Sequence, residues 1–135
     1  MSFFDTEAWR ERMDERWFDT GVAMAEAGAV DLVAIEDDKV TAHVTGSVGD
    51  LYVVQLWAPA GEGTCTCPGF EKFGACKHQA AVVSAANAAD LGKVKDRMAR
   101  LRDGLALDSR EALVERLAEL ARLQPAVLAA LEGRA

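Results

Sequence analysis

Cys65-Thr66-Cys67-Pro68-Gly69-Phe70-Glu71-Lys72-Phe73-Gly74-Ala75-Cys76-Lys77-His78 contains all three cysteines of the chain and one of its two histidines. The pattern is C-x-C, an eight-residue interval, then C-x-H. Three thiolates and one imidazole make a complete tetrahedral donor set for Zn²⁺, and soft thiolates select zinc over harder ions. Residues i and i+2 of an extended segment point to the same side, so Cys65 and Cys67 can reach one metal from a strand. Pro68-Gly69 predicts a turn, after which the chain returns to deliver Cys76 and His78. A helix starting near Lys77 then aims its N-terminus at the thiolates, where its free amide hydrogens favour negative charge. A catalytic zinc keeps an open position beside three protein ligands, whereas here four good ligands close the shell.

Working outward, the residues before this cluster alternate as strands do. Val30–Ile35, Val40–Thr45 and Leu51–Trp57 are short runs separated by the polar turns 36–39 and 46–50. Val40, Ala42 and Val44 share one face, as do Tyr52, Val54 and Leu56. This pattern predicts an antiparallel meander with one face packed and one wet. His43 falls on the face opposite Val40 and is expected to be exposed. Upstream, Trp9, Met13 and Trp17 recur every fourth residue and predict one helix over 5–18, capped by Asp5 or Thr6 and interrupted at Gly21. Downstream, an alanine-rich helix is expected over 77–89. A second is expected on Leu91, Val94, Met98 and Leu101. A third follows a capping box at Asp108–Glu111 and carries the stripe Leu113, Leu117, Leu120 and Ala121. Pro125 suits the first turn of a last short helix. The fold class is therefore α+β: a short antiparallel β-meander leading into a Cys₃His zinc site, followed by helices.

The chain has 135 residues, 50% of them apolar and 27% charged, a composition of a globular protein. Its net charge of -7 is uneven. Residues 1–38 hold eleven acids and three bases; residues 39–135 hold eleven acids and twelve bases. Broad sequence-independent binding to nucleic acid needs positive charge, so the balance argues against it while leaving room for a local basic face. No apolar run is long enough to span a membrane, and Met1-Ser2-Phe3-Phe4-Asp5 does not read as a secretory signal. The expected location is the cytoplasm, with no membrane partner.

The cysteine stretch resembles the SWIM zinc finger, on Cys65, Cys67, Pro68, Gly74, Cys76, Lys77 and His78. Gly46-Ser47 and Tyr52-Val53-Val54 are similar to a passage that precedes the ligands in that family. The leucine-rich segment Ser109–Leu131 is similar to the tails of stand-alone bacterial members. The resemblance implies one structural Zn²⁺ held by Cys65, Cys67, Cys76 and His78. It also implies an interaction module whose partner is a protein, such as a helicase-like ATPase or a recombination factor, or else nucleic acid.

Three segments are expected: a helical segment over 1–29, the finger with its preceding strands over 30–91, and a helical tail over 92–135 packed on the same domain. Phe70, Lys72 and Phe73 stand between the ligand pairs, either as a recognition tip or as a cover over the metal. Lys77 adjoins the last ligand. Lys93, Arg97 and Arg100 share a helical face, which either meets phosphate or pairs with the acidic N-terminal third. The sequence thus reads as a non-enzymatic zinc-binding module acting as a protein-binding adaptor. The alternatives are nucleic-acid binding through Lys72, Lys77 and the basic 93–102 helix, and a zinc–thiolate redox sensor. The lack of a C-x-x-C pair argues against dedicated thiol exchange.

Overall fold

The computed structural model describes residues 2–133, so Met1, Arg134 and Ala135 of the first and last expected segments lie outside the described residues. The alternating runs form β1 (Val30–Glu36), β2 (Lys39–Thr45) and β3 (Leu51–Trp57). All strand pairs are antiparallel, in the order β1-β2-β3-β4. The fourth strand, β4 (Gly63–Cys65), is an addition to the three expected. It is three residues long, too short for alternation to show. Its pairing with β3 brings Cys65 opposite Val54. One face of the sheet is fully dry at Val40, Ala42, Val44, Val54 and Leu56. His43, on the other face, is half-buried rather than exposed, because Asp31 and Val53 lie across from it on the neighbouring strands.

The N-terminal segment is two helices, not one. α1 (Thr6–Arg10) is capped by the Asp5 carboxylate, which accepts from the Ala8 amide. α2 (Glu15–Glu26) is capped by Asp14, which accepts from the Arg16 amide. Contacts distant in sequence hold the chain around the break. The Trp9 indole donates to the Pro59 carbonyl at 2.9 Å, and Arg12 donates to the carbonyls of Ala60 and Gly61. Trp9, Met13 and Trp17 therefore do not form one stripe: Trp9 is in the core, while Met13 and Trp17 are half-buried.

Gly21 lies inside α2 instead of ending it. A Cβ there would stand 2.3 Å from the Lys77 carbonyl oxygen and 2.6 Å from the Ala80 Cβ. The missing side chain is what lets α2 approach α4 (Lys77–Ala88) so closely. α4 packs against α2 and against all four strands. This explains its alanine-rich composition and its burial on nearly every side, at Ala80, Ala81, Val82, Val83 and Ala86. Phe4, Trp9 and Phe18 complete the core. Asn87 locks the N-terminus onto the end of α4. Its side-chain carbonyl accepts from the Phe4 amide, and its amide donates to the Phe4 carbonyl and the Thr6 hydroxyl.

Between β4 and α4 lies α3 (Pro68–Phe73), where the sequence suggests only a turn and loop. Past α4 come α5 (Leu91–Ala106), α6 (Arg110–Leu123) and α7 (Pro125–Leu131), the last opened by Pro125 as expected. The cap of α6 is Ser109, one residue later than expected; its hydroxyl accepts from the Ala112 amide. The chain divides into two compact units, residues 1–98 and 99–135. In the first, α5 anchors Leu91 and Val94 and ties Arg97 to the Asp31 carboxylate at 2.6 Å. The second holds the end of α5 with α6 and α7. No helix among the described residues is long and apolar enough to cross a membrane.

Candidate metal centre

The four ligand residues come from three short elements. Cys65 ends β4. Beyond it, Thr66 continues the pairing: its amide donates to the Val53 carbonyl at 3.1 Å, and its hydroxyl accepts from the Val53 amide at 3.0 Å. The C-x-C segment is thus held extended, the condition for both thiols to face one side. Cys67 is the N-cap of α3, and its Sγ accepts from the Phe70 amide at 3.3 Å. Gly74 ends α3 with φ 75°, a left-handed conformation suited to glycine, and turns the chain toward the second pair. Cys76 is the N-cap of α4, and His78 is the second residue of that helix.

These elements bring Cys65, Cys67, Cys76 and His78 together, all buried, with one ligand atom from each within 4.8 Å of the others. A thiolate at about 2.3 Å and a ring nitrogen at about 2.0–2.1 Å from a tetrahedral zinc stand about 3.6 Å apart. Cys65 Sγ and His78 Nδ1 are 3.8 Å apart. His78 Nε2 is buried and has no hydrogen-bond partner among the described residues. The residues fit Zn²⁺: three sulfurs and one ring nitrogen, all on buried residues, make a complete four-donor set. Held by Cys65, Cys67, Cys76 and His78, the ion would supply a cross-link between the end of β4, the start of α3 and the start of α4. The Tyr52 ring covers the imidazole, 4.8 Å between centroids, and its hydroxyl donates to Asp50 at 3.4 Å.

The thiols differ in acidity. Hydrogen bonding from Cys65 lowers the Cys76 pKa to about 4; burial opposes this and His78 adds to it. The same hydrogen bond, with burial, pushes the Cys65 thiol up, and burial raises Cys67. Cys76 stands at the start of α4, where the helix N-terminus favours a thiolate.

Beside the ligands lies a cleft of about 420 Å³ lined by Trp17, Tyr52, Phe73 and Lys77. Phe73 is 58% exposed and packs at a tilt against Trp17, 5.2 Å between centroids, with Lys72 Nζ 5.2 Å from the Phe73 ring centre. Phe70 instead packs half-buried against the core. The structure thus brings Phe73 and Lys77 to the cleft beside the metal centre, with Lys72 beside the Phe73 ring. Lys93 is exposed on α5, and Arg97 is engaged by Asp31 and by the Leu32 carbonyl at 2.9 Å. Arg100 is exposed and belongs to the second unit. The spacing of Trp9, Met13 and Trp17 can be read as a core stripe or as a partner-binding one; of the three, Trp17 lines the cleft. Its place at the cleft depends on the packing of α2 on α4, which its periodicity with Trp9 and Met13 does not reveal.

Comparisons with curated proteins and with solved structures return no match. The family model of the SWIM zinc finger matches residues 52–87. That span begins at Tyr52, which covers His78, and ends at Asn87, which anchors the N-terminus to α4. The four ligands lie within it, so the chain is a zinc-binding protein carrying a SWIM zinc-finger domain.

Proposed function

We propose that the zinc unit is a non-enzymatic protein-binding adaptor whose contact surface is the aromatic cleft beside the metal. The observation that carries this reading is that Trp17, Tyr52 and Phe73 converge next to the zinc ligands. Aromatic side chains in a concave site give large contact area at low entropic cost and are enriched where proteins bind one another. The zinc fixes the cleft wall, because Cys67, Cys76 and His78 line it directly. Many cations elsewhere on the unit are already engaged: Arg10 by Asp19, Arg12 by two carbonyls, Arg16 by Asp14, Lys39 by Glu36 and Arg97 by Asp31. That pattern does not suit a surface tracking phosphates.

Lys77 at the cleft, and Lys72 beside the Phe73 ring, favour a second reading, a nucleobase stacked on aromatics with phosphate on lysine. One experiment separates the two. The zinc-loaded chain is titrated against labelled single- and double-stranded DNA over a salt series, and in parallel against an immobilised peptide library. Peptide binding insensitive to salt, and lost in Phe73→Ser with zinc content retained, supports the adaptor. DNA binding with a steep salt slope, lost in Lys72→Ala with Lys77→Ala, replaces it.

A further inference from the structure

The aromatic cleft at the zinc ligands does not end at Lys77. A second cleft, of about 480 Å³, adjoins it, and Thr20 and Lys77 line both. Trp17, Thr20 and Met24 follow one another on one face of α2, and Ala27 at the end of that helix continues their line. The two clefts thus make one groove along α2, whose helix wall from Trp17 to Ala27 is about 15 Å long. An extended peptide of about four or five residues spans that length. We propose, on the adaptor reading given above, that this groove takes an extended acidic segment of a partner protein. An apolar side chain of the segment fills the aromatic cleft, a neighbouring carboxylate meets Lys77, and the backbone runs on through the second cleft.

Charge favours that occupant. The chain has 22 acidic and 15 basic residues, yet no carboxylate lines either cleft. Besides the metal ligands, Lys77 is the one charged residue in either lining. Lys77 is half-buried and has no ion-pair partner among the described residues. A partly desolvated ammonium without a counter-ion gains a charge-assisted hydrogen bond from an incoming carboxylate, and salt screens such a pair less than one on an open surface. At the same point the Thr20 hydroxyl donates to the Arg16 carbonyl at 2.8 Å, which leaves its oxygen free to accept from a peptide amide. The second cleft is walled in part by the small residues Gly28, Ala29, Gly46 and Ser47, which let another backbone come close. A nucleic-acid strand suits the groove less well: it carries a phosphate at every nucleotide, and one lysine over this length meets only one of them.

The test is fluorescence anisotropy of the full zinc-loaded chain with a positional-scanning library of labelled six-residue peptides, in parallel with labelled single-stranded DNA. The expected result is selection of an apolar residue with aspartate or glutamate within two positions of it. Replacing that acid by its amide is expected to weaken binding about tenfold. Lys77→Met is expected to lose the preference for the acid with zinc content unchanged, and Lys77→Arg to keep it. Ser47→Glu puts a carboxylate into the second cleft, and is expected to weaken acidic peptides several-fold more than their amide counterparts. Peptides selected for the apolar residue alone overturn this inference and leave the adaptor reading standing. So does an acid preference that survives Lys77→Met. If Lys77→Met loses zinc, Ser47→Glu decides: full zinc with unchanged binding of acidic peptides overturns the groove. No peptide bound at submillimolar protein overturns both the groove and the adaptor reading, and DNA bound in their place with a steep salt slope replaces them.

Discussion

The two units of this chain treat their apolar residues in opposite ways. In the zinc unit, Phe4, Trp9, Phe18, Val40, Val54 and Leu56 are essentially dry, enclosed between a sheet face, α4 and the N-terminal helices. In the 99–135 unit, leucines of equal hydrophobicity stand exposed along α6 and α7. The first unit has layers to bury a face against and a metal site that closes its loop. The second is built of helices alone, and α6 carries more apolar surface than α7 covers. Hydrophobic content therefore does not itself measure a core. The zinc unit is where core substitutions bear most on folding, whereas the tail leucines stand largely in solvent.

The sharpest way to break that contrast is to remove a ligand. Cys76→Ser leaves three donors, and is expected to abolish stoichiometric zinc and the cooperative melt of the first unit. Structural zinc binding in finger peptides is worth about 10–16 kcal/mol apparent at neutral pH. Metal analysis together with thermal melting reads this out, and a variant with full zinc and an unchanged Tm would overturn the ligand assignment. Phe18→Ala, at a fully buried ring, is expected to cost about 3–5 kcal/mol in denaturant unfolding, with zinc still bound.

Gly21→Ala probes the helix contact that supports the site. The new Cβ meets a backbone carbonyl and a neighbouring alanine, neither of which can swing aside, so a loss of about 1–3 kcal/mol is expected. The Arg97–Asp31 pair sits lower on the scale, since both side chains are substantially exposed and such pairs are worth about 0.2–1 kcal/mol. Arg97 holds the Asp31 carboxyl below its ordinary range. The contribution is therefore present in full above the unfolded-state value near 3.8 and disappears as pH falls through the lower folded-state value. Asp31→Asn is expected to remove this slope from an acid titration of stability. Smallest of all, Leu123→Ala on the exposed face of α6 is expected to change stability by less than about 0.5 kcal/mol. A larger loss would show that the tail leucines carry a core after all.

The parts of the fold readable in the sequence are those governed by spacing along the chain. Two i, i+2 pairs of thiol and imidazole residues name the metal ligands, because a strand and a helix start present such pairs together. Val40, Ala42 and Val44 mark the buried sheet face by alternation, and Pro125 marks a helix start by its missing donor. The split between α1 and α2 was not readable, since the four-residue recurrence of Trp9, Met13 and Trp17 mimics one continuous helix. It is the carbonyls of Pro59, Ala60 and Gly61, some fifty positions away, that hold Trp9 and Arg12 at the break. The short elements β4 and α3 were equally hidden, being too brief for any period to emerge.

Residue type and local spacing alone thus determined that this protein binds zinc, through which four side chains, and on which kind of scaffold. Tertiary structure decided what stands next to the metal. Trp17 reaches the cleft because Gly21 lets α2 settle onto α4, and Tyr52 covers His78 because β3 runs beside the ligand-bearing strand. Those neighbours are set by close packing between segments far apart in sequence, and packing of that kind leaves no periodic trace in the chain.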